Sequence, residues 1–516
     1  MSARVTSAAQ AAARDAAAIA GGTASFDLMR AAGEATAEVI LARIPAVRAH
    51  GVHVIAGGGN NGGDAWVVAG ALARAGCAVR VEAIGEARSA DAQRAKAEAE
   101  AALAAAAGPP DVAAWRPAVV VDGLLGTGTQ GEARGEAAQV IARINEMGAA
   151  GATVVAVDVP SGLDATTGGG GAVVRAAITC TYGTVKRGLL LRRDEAGAIV
   201  TLDIGLGAHE ALPDGAPQLV DADWVRRAIP PIPADAHKGV RRRLAIVGGG
   251  DGMAGAPMLA ARGAMRSGIG MVQLLVNPAN VPVVQAALPE TMAARWPVTA
   301  EDQDRVLHWA HVLLLGPGLG RTAMTRALVE RLLVAWRGPV LLDADALNVF
   351  EGEPRTLGSL LGARPAIVTP HPVEAGRLMR LSVAQVLERR FEVGAELART
   401  LGATVLLKGP PTIISAPDGR VAVSASGAPT LGTAGSGDVL AGIAATLLGQ
   451  TADAFGAATS AAWIHGRAGE RAAQLGSVRG SALTDVIAAL RDVWALDDPA
   501  PAAPILAELA ALGGQR

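Results

Sequence analysis

Aromatic side chains are nearly missing from this 516-residue chain, which has eight Trp, four Phe and one Tyr. So few rings exclude a row of stacked bases or an aromatic sugar platform as its organising chemistry. Cysteine is scarcer still: Cys77 and Cys180 cannot frame so long a chain with disulfides, and neither stands in a CxxC or Cys/His metal spacing. A reducing cytoplasm is the expected compartment. Excess charge of one sign is lacking too, because the formal net charge is -2, so no nucleic-acid partner is expected. No apolar run reaches about 18 residues, which predicts no membrane span. The Ala-rich N-terminus, broken by Gln10, Arg14 and Asp15, lacks the apolar centre of a secretory signal. Of the eight dispersed His, only His308 and His311 are close, and without a third ligand nearby they read as structural.

What the chain does have is glycine, 65 residues gathered into loops. Glycine there lets backbone approach a ligand closely. A length of 516 implies more than one domain. From His53 to about Leu206, short β-branched runs such as VHVIAGGG, AVRVEAIG, PAVVVDGLLG and ATVVAVDVPSG alternate with Ala-rich helical runs, which predicts a parallel α/β sheet. A Pro-rich joint follows, and then the alternation restarts with RRRLAIVGGGDG, MVQLLV, HVLLLGPGLG, GPVLLDADALN, RPAIVTPHP and ATVLLKGPP. The halves share a style and not a repeat. The expected division is residues 1–210, a linker at 211–224, a second domain at 225–497 and an Ala/Pro-rich tail at 498–516 with a short helix at most.

In the first half, Gly57-Gly58-Gly59-Asn60-Asn61-Gly62-Gly63-Asp64 follows a strand and opens a helix, where backbone N–H groups can receive phosphate oxygens. A GxGxxG reading from Gly57, Gly59 and Gly62, with Glu82 some twenty residues on, keeps a nicotinamide dehydrogenase open as an alternative. Two further strand ends are polar: Asp122 precedes GLLGTGTQGE, and Asp158 precedes VPSGLD. Ligands of open α/β sheets bind beyond the carboxyl ends of strands, so Asn61, Asp122, Asp158 and Ser161 are expected to meet in one crevice.

These motifs, GGGNNGGD, DGLLGTG and VAVDVPSGLDATTG, resemble those of the YjeF N-terminal family, the NAD(P)HX epimerases, over roughly residues 5–210. The resemblance implies that Asn60, Asn61, Gly62, Gly63 and Asp64, with Gly126, Thr127, Gly128, Thr129, Gln130, Gly131 and Glu132, bind the hydrated nicotinamide nucleotide. It also implies a potassium ion at Asn61, Asp122 and Ser161, and Asp158 as the catalytic residue at the reacting ring. Two positions depart from the family pattern. Ala65 stands where glycine is usual, which is expected to narrow the helix entry, and Gly168 to Gly171 lengthens a loop, which is expected to loosen a lid.

In the second half, Gly432-Thr433-Ala434-Gly435-Ser436-Gly437-Asp438 runs into the helix VLAGIAATLLG. Small residues at a helix start form an anion hole for a transferring phosphoryl group, and the adjacent Asp438 can take a proton from the attacking hydroxyl. This GxGD arrangement resembles that of ribokinase-like kinases. With GMAGAPMLAARGAMRSGIG, LLLGPGLG, TPHPVEAGRL and VLLKGPPT, residues 225–495 are similar to the YjeF C-terminal family, the ADP- or ATP-dependent NAD(P)H-hydrate dehydratases. Carried over, the resemblance implies that Ala256, Gly318, His371 and Asp438 contact the hydrate, and that Lys408, Gly409, Pro410, Pro411, Thr412 and Gly437 contact the adenine nucleotide. The Asp343 and Asp345 pair stays unassigned, with capping the favoured role. Where the family has an Asn-rich stretch, this chain has Ser424 to Thr430, so an amide contact there is expected to be absent.

The expected fold is therefore α/β in two domains, an N-terminal Rossmann-like parallel-sheet sandwich and a C-terminal ribokinase-like α/β/α domain. The resemblances imply a bifunctional repair enzyme that interconverts R and S hydrates and dehydrates the S form, with NAD(P)H hydrates and ADP or ATP as ligands, magnesium as an expected companion of the nucleotide, and a homo-oligomer as the expected assembly. The alternatives are a ribokinase-like small-molecule kinase with a regulatory domain, and a non-catalytic nucleotide sensor.

Overall fold

The computed structural model of the chain describes residues 3–106, 115–129, 131–206, 216–499 and 501–512. They fall into two compact units, one running to Ala216 and including the C-terminal segment after Pro499, the other spanning Pro217–Pro499.

The first unit is built on a seven-stranded sheet. Its strands run Ile505–Leu509, Ala198–Leu202, Ile178–Tyr182, Thr153–Val157, Val119–Gly123, Val52–Gly57 and Val79–Ile84 across the sheet, all parallel except Ile505–Leu509, which is antiparallel to its neighbour. Strand side chains alternate faces, and both faces are covered: Val119 and Val121 enter one core cluster while Val120 enters another. Burial on both sides explains why these strands read as near-continuous apolar runs. From Val52–Gly57 the chain steps out to one side and later returns on the other, so the topological switch lies between Val52–Gly57 and Val119–Gly123. A crevice opens there at the carboxyl ends of the strands.

The second unit carries a ten-stranded sheet. Seven parallel strands, from Met292–Arg295 at one edge through Met271–Val276, Arg243–Val247, Val312–Leu315, Val340–Leu342 and Ala366–Val368 to Thr404–Leu407, are extended by the antiparallel Thr412–Ser415 and Val421–Ser424. Leu244 and Ile246 face the helices Gly255–Arg266, Ser436–Thr451 and Ala454–Leu475, while Ala245 and Val247 pack on the opposite layer. Here the switch lies between Arg243–Val247 and Val312–Leu315.

Two expected boundaries differ from the structure. Of the joint placed at 211–224, residues 211–215 lie outside the described set, but Gln218–Leu219 pairs with Val421–Ser424 as the last strand of the second sheet, and Asp221 caps the helix Ala222–Ala228. Leu219, Val220 and Val225 are buried, so prolines nearby did not prevent this stretch from joining the core. The C-terminal segment is likewise no loose tail with a helix. Ile505–Leu509 hydrogen-bonds to Ala198–Leu202, and Arg43 makes a two-pronged ion pair with Glu508. Pairing satisfies an otherwise open sheet edge, which the Ala/Pro composition conceals. Among the described residues no helix is long and apolar enough to cross a membrane.

Close helix packing in the second unit depends on two glycines. A methyl added at Gly442 would fall 1.9 Å from the Ala260 carbonyl oxygen, and one at Gly263 would fall 2.4 Å from that of Val439. Alanine is the better helix former by about 1 kcal/mol, yet overlap with backbone forces the helices apart. Gly442→Ala is expected to destabilise the second unit by about 1–3 kcal/mol, seen as a lower denaturation midpoint; an unchanged midpoint contradicts this packing.

Candidate active sites

In the first unit, three strand ends meet around a cavity of ≈ 570 Å³. Its lining includes Asn60, Asn61, Asp64, Gly126, Thr127, Gly128, Thr129 and Asp158 of the sequence-derived candidates. The helix Asn60–Arg74 starts after Gly59 without a side-chain cap, leaving its first N–H groups for a ligand. Gly62 and Gly63 do a different job from the one expected: methyls there would fall 1.8 Å from the Gly57 carbonyl oxygen and 2.7 Å from the Met29 sulfur, so they permit close packing. Neither lines the cavity, nor do Gly131 and Glu132, whose side chain instead lies beside Gly171; Gln130 lies outside the described residues.

Asp122 and Ser161 are fully buried together. The Ser161 hydroxyl donates to Asp122 Oδ1 at 2.6 Å, and the Ser161 and Leu124 amides donate to the same carboxylate at 2.8 and 3.3 Å. Asn61 Nδ2 reaches the Leu125 carbonyl at 2.9 Å, and the Leu125 amide returns to Ser161 Oγ at 2.8 Å, so the three expected metal residues form one connected group. Burial pushes the Asp122 carboxyl up to about 6 despite those hydrogen bonds.

Asp158 takes the left-handed backbone conformation, φ 64°, a strained choice for a non-glycine residue. It is held by a lysine that no motif marks. Lys186 Nζ lies 2.5 Å from Asp158 Oδ1 and also donates to Thr181 Oγ1 and the Tyr182 carbonyl, both at 3.0 Å. All three ammonium protons are thereby used. Thr181 adds a 3.1 Å bond to the same Oδ1, which leaves Asp158 Oδ2 for a ligand. Asp64 and Asp15 flank the pair, and burial raises both carboxyls. Asp15 and Arg14 come from the N-terminal helix Ala8–Ala20, a second contribution that the motifs missed.

The dehydrogenase alternative loses its acidic residue here. Glu82 is engaged by Arg143 and lies 3.5 Å from His53 Nε2. Ala65 does not narrow the helix entry either, because its methyl packs against Gly123 away from the cavity. The tetraglycine loop is pinned and not loosened: Asp164 Oδ1 accepts from the Thr166 and Thr167 amides at 2.8 Å, and Gly170 sits where any Cβ would fall 2.2 Å from the Gly162 carbonyl oxygen.

In the second unit, Gly318 and Ala256 face each other across the switch point, where a methyl on Gly318 would be 3.1 Å from the Ala256 methyl. Asp438 lies in the first turn of Ser436–Thr451. Burial, then the charge of Asp343, pushes its carboxyl up to about 7. Asp343 is not a helix cap. It stands buried at the end of Val340–Leu342 and accepts from Thr369 Oγ1 and Lys408 Nζ, each at 2.8 Å, tying three neighbouring strand ends together. Lys408 Nζ is also 3.7 Å from Glu374 and 3.4 Å from the place a Gly437 methyl would take, so its ammonium borders the anion hole.

Asp345, by contrast, accepts from the Gly320 amide at 2.8 Å. His371 caps Pro372–Met379: its Nδ1 accepts from the Val373 and Glu374 amides, while Glu374 accepts from the His371 amide. The His371 Nε2 lies 3.3 Å from Glu374 Oε1, and burial followed by the Lys408 charge lowers the ring's pKa from its ordinary value. Gly409 packs on Arg390, which donates to the Lys408 carbonyl at 2.7 Å, and Thr412 closes the turn by donating to the Gly409 carbonyl at 2.9 Å. Pro410 and Pro411 lie inside that turn. The Ser424 to Thr430 stretch is anchored on the helix Ala454–Leu475, Gly427 donating to Glu470 and Thr430 to the Gly469 carbonyl.

Lys186 is the cation that the motifs missed, whereas Lys408 was already a candidate, and one compositional signal points to both. Of 46 Lys and Arg, only Lys96, Lys186, Lys238 and Lys408 are lysine. Two of these four stand at the two sites, each with its ammonium on a carboxylate.

Two family models match the chain, one described as YjeF-related protein N-terminus over residues 25–188 and one described as NAD(P)H-hydrate dehydratase over residues 244–491. A bifunctional NAD(P)H-hydrate repair enzyme of Moorella thermoacetica is 37% identical over 453 residues, covering 82% of this chain and 83% of that protein. Another, from Escherichia coli, is 34% identical over 477 residues, covering 92% and 90%. Among solved structures, an ADP/ATP-dependent NAD(P)H-hydrate dehydratase from Bacillus subtilis, co-crystallised with ATP and Mg2+, is 29% identical with a TM-score of 0.47, covering 53% of this chain and 96% of that one.

The raised Asp438 carboxyl has a stability consequence. In the unfolded chain an Asp titrates near 4, whereas in the folded unit it titrates at about 7. The ionised form is therefore penalised only when folded, a cost that appears as pH rises through that window and is complete above it. Asp438→Asn is expected to stabilise the second unit at pH 8 and to change little at pH 4, measured by urea denaturation at both values. Equal effects at the two pH values contradict the raised carboxyl.

Proposed function

This chain belongs to the bifunctional NAD(P)H-hydrate repair enzymes, an epimerase domain followed by a dehydratase domain, and from that premise we propose which of its residues carry each half of the work. In the first unit the hydrate lies in the cavity with its phosphates at the start of Asn60–Arg74 and its ring at Asp158. Inverting the carbon that bears the hydroxyl requires a proton to be given as the C–O bond breaks and taken as water adds to the opposite face. Asp158 Oδ2 handles that proton, while Lys186 and Thr181 hold Oδ1. The observation that carries this reading is the Lys186–Asp158 pair inside the cavity.

Asn61, Asp122 and Ser161 are the proposed potassium residues. Their donors are oxygens only, one of them a buried carboxylate, a set that suits a hard cation and not a thiophilic metal. A bound potassium ion would supply positive charge beside the substrate and fix the Leu124 to Thr129 loop.

In the second unit Asp438 takes the proton of the hydrate hydroxyl as that oxygen attacks the terminal phosphorus of ADP or ATP, with AMP or ADP leaving. Phosphate then departs from carbon with the electrons of its C–O bond, a proton is lost from the adjacent carbon, and the reduced nicotinamide is restored. The anion hole from Gly435 to Gly437 and the Lys408 ammonium hold the transferring group. Asp343 and Glu374, which also face Lys408 Nζ at 2.8 and 3.7 Å, are the carboxylates that would hold magnesium together with substrate phosphates; bound there it would neutralise charge on the nucleotide. The kinase alternative differs in product: a stable phosphate ester would accumulate. Free, buried cysteines support a reducing, cytoplasmic setting, and a homo-oligomer remains the proposed assembly.

With racemic NADH hydrate and ADP, the intact chain is expected to consume both epimers. Asp158→Asn should leave the R form and still repair the S form, and Asp438→Asn should restore almost no NADH, followed by absorbance and epimer-resolved chromatography. Full activity in the Asp438 variant sinks the assignment of that base. Replacing potassium by lithium should slow R consumption in the intact chain and have no further effect in Asp122→Asn; equal rates in the two salts argue against the cation site.

A further inference from the structure

One buried titratable group in the second unit has no part in the chemistry above. His465 lies on Ala454–Leu475, within a stretch from Phe455 to Gly466 that is buried throughout and otherwise made of apolar, small or hydroxyl-bearing residues. An imidazole in such a place is costly unless it is hydrogen-bonded. Its Nε2 lies 3.2 Å from the hydroxyl of Ser436, itself buried and the first residue of the anion-hole helix. Burial and then the nearby Lys408 charge push the ring down to about 4. It is neutral at working pH, so it is neither a general acid nor a phosphate-binding cation.

A neutral imidazole presents either a donor or an acceptor at Nε2. If Nε2 accepted, the Ser436 proton would be drawn into the core. With the proton on Nε2 the ring donates to Ser436 Oγ, and the serine proton is left to turn outward. Gly435 and Gly437 flank Ser436 and carry no side chain to obstruct it, and the Lys408 ammonium borders the same loop.

We propose that His465 is a positioning residue for phosphoryl transfer, holding the Ser436 hydroxyl so that its proton is donated to an oxygen of the transferring phosphoryl group. The proposal rests on reading the second unit as the nucleotide-dependent dehydratase. A preset donor aimed at developing charge needs no reorganisation during the reaction, and removing one such donor costs on the order of 10² to 10³-fold in other enzymes.

The test is a double-mutant cycle on the full chain, using S hydrate with ADP and reading kcat and both KM values. Ser436→Ala and His465→Leu should each lower kcat by about 10- to 100-fold, with KM values within about threefold. The Ser436→Ala/His465→Leu chain should lose no more than Ser436→Ala alone, because both changes remove one interaction. His465→Gln, which keeps an N–H, should recover at least tenfold over His465→Leu. Multiplicative losses in the double variant would show that His465 acts independently of Ser436 and overturn the proposal. So would unchanged kcat in Ser436→Ala, a small change that remains informative if His465→Leu fails to fold. Failure of the underlying reading is distinguished by Asp438→Asn: if that variant also keeps full activity, the dehydratase site itself is misplaced.

Discussion

A buried ammonium facing a carboxylate at the end of a parallel strand is the interaction on which each unit depends. Breaking such a pair by removing one partner typically costs about 3–5 kcal/mol, because the other charge is left uncompensated. Each pair is therefore both structural and chemical. Lys186 holds Asp158 in a strained backbone conformation and occupies one of its oxygens, which directs the other into the cavity. Lys408 pairs with Asp343 and moderates the charge around Asp438, where burial and Asp343 work in the opposite direction.

The sheets bring these groups together. In both units the chain leaves a central strand on one side and returns on the other, opening a crevice where loops need not pack on each other. Glycine then sets how near the loops can come. Gly62 against Gly57, Gly316 against Asp343 and Gly442 against Ala260 all stand where a methyl would fall within 2 Å of a carbonyl oxygen. These glycines therefore serve backbone-to-backbone packing that sets the spacing of the loops.

How much of this was legible depended on range. Strands buried on both faces announce themselves as apolar runs, so fold class could be read directly, and Gly-rich loops such as those before Asn60 and Asp438 are local patterns that nominate candidate positions. Lys186 could not, since it meets Asp158 only after the Ile178–Tyr182 strand and the turn that follows it have formed. Asp343 looked like a cap because its partners, Thr369 and Lys408, are 26 and 65 residues away. The strand at Ile505–Leu509 was hidden because an edge strand needs a neighbour with free hydrogen-bonding groups, here Ala198–Leu202, and Ala/Pro composition says nothing of that neighbour. His465 sits in an Ala-rich helix whose sequence gives no hint of the serine it meets.

The account stands on a division of labour between two lysine-anchored sites, and epimer-resolved kinetics of the two lysine variants tests it most directly. With racemic NADH hydrate and ADP, and with spontaneous interconversion subtracted, Lys186→Met should repair the S hydrate at the intact rate and leave the R hydrate. Lys408→Met should interconvert the epimers at the intact rate and form no NADH. If either substitution abolishes both activities, or if neither impairs its own, the lysine–carboxylate pairs are not what divides the work.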